Sequence, residues 1–446
     1  MSPRYHVRRC TWLAGAVLWA APCAIGAQSS DDARAMSLRD AIAEAQRNAP
    51  AIVQARGQER NAAAARRSAL GAYLPTLNLT AGNSRTQGVQ FFQGQLVPLT
   101  GNPWNYNNGL AANLQLFDGN SRRAELQRVS ATARLADVSF VQAKFDAELQ
   151  VKQQYYAALA ARESEAAAKA QLEQAEQQLK ASSARVAAGV ATKSDSLRSA
   201  IQLGNAQLAV LTAQNDLRVA NAALTRVVGS TVTVTADVND TLETVGPLPT
   251  EAELEKLVFD GPSVRVADAN VSAARASKKA QRSAYLPTLT MSYNYSYTQS
   301  SRKFTSSDIW LFSGGNPNRQ NLNFNFQYPL FNGFQREAAT VQQDVAFKNA
   351  EAQARDTRLA ARASLTTLVR SAQNAQARVD VQLAAIAAAE EDLRVQQQRY
   401  ALGASTLLDL LTSQTQLNQA RQALIQARFD GRVTRAQLAS LIGRPL

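Results

Sequence analysis

The sequence predicts an α+β membrane protein in which several copies share one β-barrel, with long helices continuing the barrel on one side. Three observations lead there: a unit of about 210 residues is written twice, the hydrophobic period switches between 3.6 and 2 within each unit, and the chain opens with an export signal. The repeat sets the frame. Tyr73-Leu74-Pro75-Thr76-Leu77 returns letter for letter as Tyr285-Leu286-Pro287-Thr288-Leu289, 212 positions on, and Pro50 returns as Pro262. Leu116-Phe117-Asp118-Gly119 returns as Leu330-Phe331-Asn332-Gly333, 214 positions on. Gly189 with Gly403 and Gly229 with Gly443 hold the same 214 offset.

Arg4, Arg8 and Arg9 form a basic start, Trp12 to Ala21 a short apolar core, and Ala24-Ile25-Gly26-Ala27 a small-residue cleavage site. Residues 1–27 therefore read as a secretory signal cut after Ala27, too short to span a bilayer. Acylation at Cys23 is the alternative. The signal carries away the only histidine, His6, and both cysteines, Cys10 and Cys23. A chain without imidazole or thiol has no histidine base, cysteine nucleophile, disulfide or His/Cys zinc site. Net charge falls from +13 to +10 with the three arginines. Export argues against nucleic acid as the partner of that charge. No later stretch approaches 18 apolar residues in a row, so any membrane crossing is made by strands.

The first repeat occupies 28–245 and the second 246–446, joined through Gly246-Pro247-Leu248-Pro249. Ala, Gln and Arg, all strong helix formers, dominate both. Gly119 to Gly189 and Gly333 to Gly403 are free of proline, which predicts long helices over 119–189 and 333–403, each about 105 Å. Leu135, Val138, Phe145, Leu149, Tyr156 and Leu159 step by three, four or seven along the first, as do Val379, Leu383, Ile386 and Leu393 along the second. That is a coiled-coil seam. Return helices are expected over 194–228, striped by Leu197, Ile201, Leu208 and Leu211, and over 406–442. Thr231 to Thr235 reads as a short extra strand.

Between the helices the period becomes 2. Thr288 to Tyr297 and Asn321 to Tyr328 alternate polar with large apolar residues, and Leu77 to Thr80 and Asn113 to Phe117 do so more weakly. Two β-hairpins follow, at about 76–117 and 288–331, with loops near Gln87–Asn108 and Gln299–Arg319. Pro75 and Pro287 stand where helix gives way to strand, and Gly119 and Gly333 where strand gives way to helix. Leu289, Met291, Tyr293, Tyr295, Leu322, Phe324 and Phe326 share one face and are expected to meet lipid. Thr, Ser, Asn and Gln line the other face, the pattern of a membrane barrel around a wet pore. Four strands cannot close a barrel, and an open edge in lipid leaves backbone groups unpaired at several kcal/mol each. Two, three or four chains give eight, twelve or sixteen strands, and twelve or more leave a lumen.

The duplicated YLPTL joint, the duplicated Phe-(Asp/Asn)-Gly joint and the turn Arg399-Tyr400-Ala401-Leu402-Gly403-Ala404-Ser405-Thr406-Leu407-Leu408-Asp409 resemble the TolC family of outer-membrane efflux channels. The resemblance covers essentially the whole mature chain. It implies a homotrimer: a twelve-stranded outer-membrane barrel, four strands per chain, on a long periplasmic α-helical barrel. It implies a periplasmic adaptor and an inner-membrane pump of RND, ABC or MFS type as partners, and no cofactor. Gly189 and Gly403 match the family's turn glycines. Thr192 with Asp195, and Thr406 with Asp409, match positions at the pore entrance that touch the adaptor. Either aspartate also suits a helix N-terminus. Two positions depart from the pattern: Ser405 stands where members often carry Arg, and Thr412 where some carry a second acid. Leu407, Leu408 and Leu411 are then the candidates for holding the entrance, the alternative being a looser entrance.

The rival reading is an exported coiled-coil spacer of the envelope. An enzyme is the weakest, because Glu163, Glu165, Glu173 and Glu390 read as solvated helix faces with i,i+4 partners and no nucleophile elbow or phosphate loop is present. Replacing Tyr295 and Phe324 with Asp separates the first two. The barrel reading predicts loss of membrane insertion in a fractionation assay; the spacer reading predicts unchanged behaviour.

Overall fold

The computed structural model describes residues 33–98, 104–237, 239–242, 249–301 and 318–446. The signal, Cys23, most of the inter-repeat linker and most of the second expected loop lie outside them. Strand β1 (Arg34–Met36) leads into helices α1 (Leu38–Asn48) and α2 (Pro50–Gly71). Strands β2 (Thr76–Arg85), β3 (Val89–Phe92), β4 (Gln95–Pro98) and β5 (Trp104–Phe117) follow. The first long helical hairpin is α3 (Ser121–Ala187) and α4 (Lys193–Val228), ending at β6 (Val234–Ala236). Next come α5 (Glu251–Val258), α6 (Pro262–Gln281), β7 (Thr288–Ser301) and β8 (Asn318–Gln327). Then α7 (Gln335–Ala401) and α8 (Leu407–Ile442) form the second long hairpin.

α3 and α7 are 67 residues each, about 100 Å. α4 and α8 are 36 residues each and cover only part of that length. α2 and α6 supply the rest, meeting α4 and α8 end to end. Gly229 and Gly443 stop α4 and α8 in the left-handed region, at φ 74° and 68°. A Cβ on Gly443 would sit 2.9 Å from Cδ of Pro262, the first residue of α6. Pro50 and Pro262 open α2 and α6, where the N–H that proline lacks has no helical partner anyway.

Contacts between the helices run α4–α3–α8–α7 in one stretch and α2–α3–α6–α7 in the other. The main sheet is ordered β2–β5–β7–β8, antiparallel throughout. β2, α2 and α4 thus form one lateral edge of the chain, and β8 and α7 the other.

The largest core sits where α1, the start of α2, α3 and α4 meet the parallel pair β1–β6, around Ile52, Val151, Tyr155, Leu159, Leu224 and Val234. The Tyr155 hydroxyl lies in hydrogen-bond reach of the Met36 carbonyl and the Asp240 carboxylate, and accepts the Asp237 N–H at 3.2 Å. Burial first, and Asp240 second, push its pKa well above the ordinary phenol value. Arg162 donates to the Asp237 carbonyl at 2.6 Å and to that of Asp240 at 2.8 Å. α3 therefore holds the segment that leads out of the first half.

Several elements differ from the sequence reading. The extra strand is Val234–Ala236 rather than Thr231–Thr235, because Val234 N–H bonds to Thr225 Oγ1 and β1 supplies a partner that carries no periodic signal. The stretch Gln87–Asn108 is not all loop: it holds the β3–β4 hairpin and the start of β5. Gln299–Ser301 extend β7, and Asn318–Arg319 begin β8. Leu197, Ile201, Leu208 and Leu211 are exposed, and α4 instead meets α3 through Ser199, Ala206 and Val210. Small residues allow the closer helix approach. Glu163 accepts the Leu242 N–H, and Glu390 pairs with Arg421 on α8, so neither has an i,i+4 partner. Glu165 does, in Lys169, and Glu173 does, accepting from Gln177 Nε2 at 3.4 Å.

Gly189 and Gly443 have similar φ, but Gly189 has nothing within 4 Å of an added Cβ. Gly189→Ala is expected to cost about 1 kcal/mol, from backbone alone. Gly443→Ala adds the clash with Pro262 and is expected to cost about twice that. Thermal unfolding followed by circular dichroism checks the order; equal losses contradict the end-to-end packing.

Candidate functional site

The two ends of the long hairpins carry the features that the repeat singled out. At the tip, α3 stops at Gly189 and α7 at Gly403, with φ 76° and 74°. The chain then reverses in a few residues, and each return helix opens on a capping box. Thr192 Oγ1 accepts the Asp195 N–H at 3.3 Å while Asp195 Oδ2 accepts the Thr192 N–H at 3.1 Å. Thr406 and Asp409 repeat this at 3.2 and 3.0 Å. Both aspartates therefore cap helices, whatever else they do. The Thr406 side chain first, its N–H second and the Arg399 charge last hold the Asp409 carboxyl below its ordinary pKa.

Leu407 does not project from the tip. It is buried with Leu393, Leu410 and Leu417 between α7 and α8, because the position after the cap faces α7. Leu408 is exposed and Leu411 half-buried. Ser405 is half-buried, and its Oγ finds no protein partner. A contact not legible in the sequence joins the two hairpins instead. Arg185, in the last turn of α3, donates from Nη1 to the Tyr400 carbonyl at 2.7 Å and lies 4.5 Å from the centroid of the Tyr400 ring. It links residues 215 apart in sequence, and no local pattern marks such a pair.

At the other end the sheet meets the helices. Pro75 and Pro287 precede Thr76 and Thr288, the first residues of β2 and β7. Gly119 and Gly333, with φ 63° and 66°, turn the chain from strand toward helix. The joint repeats a clamp that the motif reading missed. Arg122 stacks 5.0 Å from the Tyr73 ring centroid, bonds Asp118 Oδ2 at 3.0 Å and reaches the Leu116 carbonyl. Arg336 stacks 5.0 Å from Tyr285 and bonds the Pro329 and Leu330 carbonyls. Both arginines stand three residues after their joint glycine, and that equal spacing was the available signal.

The strand registers bring the seven apolar strand residues together. Leu289 pairs Phe326, Met291 pairs Phe324 and Tyr293 pairs Leu322, with Tyr295 next on the same face. Through β5 this face continues to Leu110, Ala112 and Leu114, and through β2 to Leu77 and Leu79. The opposite face carries Asn78, Thr80, Asn113, Thr290, Ser292, Asn294, Asn323 and Asn325. In the half of the sheet nearest the helices one side of all four strands is therefore apolar and the other mainly amide and hydroxyl, while farther out Asn83, Arg85, Asn108, Asn318 and Gln320 stand on the first side. β2 and β8 are 10 residues each, about 33 Å long and about 25 Å tall at a 40° tilt. Leu77, Leu79, Phe324 and Phe326 are each more than half exposed. No helix among the described residues is long and apolar enough to cross a membrane.

A sheet with one apolar face and two open edges, mounted on paired helical hairpins, defines a class of envelope channel subunit. The family model for outer membrane efflux proteins matches residues 41–230 and 258–444, and the chain belongs to that family. It is 28% identical to protein CyaE of Bordetella pertussis, over 92% of this chain and 83% of that one. It is 24% identical to outer membrane protein TolC of Vibrio cholerae, over 92% and 91%. Its fold is similar to the outer membrane protein VceC of Vibrio cholerae, with TM-score 0.73, 19% identity and coverage of 92% and 96%. It is equally similar to the open state of the MtrE outer membrane channel of Neisseria gonorrhoeae, with TM-score 0.74, 19% identity and coverage of 91% and 89%.

Because the folded pKa of Asp409 is depressed, its contribution is present above the unfolded carboxylate pKa and lost as pH falls through the folded one. The first turn of α8 is expected to fray below about pH 4. Thr406→Ala should bring the Asp409 pKa back toward the ordinary value in carboxyl carbon NMR; an unchanged titration contradicts the cap as its cause.

Proposed function

We propose that three copies of this chain close a twelve-stranded barrel in the outer membrane and a helical tube beneath it. The tube is the passive exit duct of a tripartite efflux or type I secretion assembly, docked to a periplasmic adaptor and an inner-membrane pump. The observation that carries this reading is the shared register of β2, β5, β7 and β8, which gives one continuous apolar face between two open edges.

The chain's two edges suit a ring. β2 and β8 run antiparallel to one another, so β8 of one copy can pair with β2 of the next without breaking the alternation. The exposed stripe Leu197, Ile201, Leu208 and Leu211 lies on α4, at the same edge as β2. Seated against α7 of a neighbour, it completes a coiled-coil seam. Head-to-tail contacts of this kind generate closed rings.

The polar strand face holds amides and hydroxyls, with Arg319 at its far end. Such a wall discriminates little among polar cargoes. Sorting then belongs to the pump, and Gly189, Thr192, Asp195, Gly403, Thr406 and Asp409 to the narrow entrance where the adaptor docks.

Purified protein is expected to migrate as a heat-sensitive oligomer and to conduct ions across a planar bilayer. A monomer soluble without detergent contradicts the reading. The Arg185–Tyr400 bond, a charge-assisted hydrogen bond of about 1.5 kcal/mol, restrains the two hairpins at the entrance. Arg185→Ala is expected to raise the open fraction about tenfold, read as open probability in single-channel recordings; an unchanged open probability removes Arg185 from the gate.

A further inference from the structure

We propose that the turns next to the sheet form a cationic collar that binds anionic phospholipid headgroups in the periplasmic leaflet of the outer membrane. The inference rests on the barrel reading above.

Three zones follow one another along the chain axis. The apolar strand face comes first. At its helical end Leu74, Tyr328, Leu330, Phe331 and Phe334 are all at least half exposed, and Phe331 and Phe334 pack edge to face at 5.4 Å. Aromatic side chains of this kind sit at the boundary between hydrocarbon and headgroups. Beyond them, within about 10 residues of a strand end, stand Arg66, Arg67, Arg123, Lys279 and Arg282. All five are exposed, and none makes an ion pair among the described residues.

The nearby acids are already taken. Asp118 is bonded to Arg122, Glu125 to Arg128, and Asp344 to Lys278 and Lys348, leaving Glu337. The zone is therefore positive where a membrane-bound rim would meet phosphate. Long basic side chains suit that depth, with stems along apolar surface and charges in the headgroups. A neighbouring copy is the other possible cover. It would join at the edge elements α2 and α7, whereas Arg123 lies on α3 and Lys279 on α6, inside the order α2–α3–α6–α7.

The full mature oligomer is reconstituted into vesicles of equal phosphatidylglycerol and phosphatidylcholine, re-extracted in mild detergent, and its retained lipid measured. Wild type should retain the anionic lipid over the neutral one by about fivefold, the ratio expected of ~1 kcal/mol per cation. The variant R66Q/R67Q/R123Q/K279Q/R282Q should retain the two equally. Wild type extracted at high salt should also lose the preference, which keeps the test independent of the variant's folding. Equal retention by wild type, or a full preference kept by the variant or at high salt, overturns the collar. Failure to insert into any vesicle overturns the barrel reading and the collar with it. A variant that inserts but no longer oligomerises in neutral lipid assigns these residues to the contact between copies, and overturns the collar alone.

Discussion

Everything in this chain follows from the edges of one sheet. β2 and β8 are each paired on one side only, so each presents about five residues with an unpaired N–H and C=O. Water can satisfy those groups; hydrocarbon cannot. At several kcal/mol for each group, one bare edge in lipid outweighs the 5–15 kcal/mol by which ordinary folds are stable. If the apolar face sits in lipid, as proposed above, its edges cannot stay open there, and closure against further copies is the solution that remains.

The helices obey the same constraint at a distance. A wall of paired helices has edges too, and its exposed stripe on α4 lies on the same side as β2. Stacking α2 on α4 and α6 on α8 lets helices of ordinary length flank helices of about 100 Å. The glycine-to-proline contacts at Gly443 and Pro262 mark one such junction. The Tyr73–Arg122 and Tyr285–Arg336 stacks tie each incoming helix to the outgoing one.

Much of this was legible because the signals were local and written twice. The switch of period at Thr288 and Asn321 located strands, and the YLPTL motif located the joint before Thr76 and Thr288. What was not legible depended on partners far away in sequence. β1 is three residues with no pattern of its own, and it exists through β6, about 200 residues later. The first-copy strands looked short because Ala111, Ala112 and Gly109 interrupt the alternation, yet β5 has 14 residues because it is paired on both sides. The α4 stripe read as helix packing and is exposed in the single chain, since periodicity reports that a face is apolar and not what covers it. At the tip, Thr192 and Asp195 were visible as a motif, but the Arg185–Tyr400 contact needed the fold.

The most direct test exploits a sequence that has no cysteine after Cys23. Single cysteines are placed in pairs, one along Thr76–Arg85 and one along Asn318–Gln327, and the protein is oxidised in the membrane. The account predicts a register at which disulfides form between chains and the crosslinked series ends at three chains. Absence of any interchain bond, or a ladder that continues past three, would contradict a barrel closed by β2 on β8.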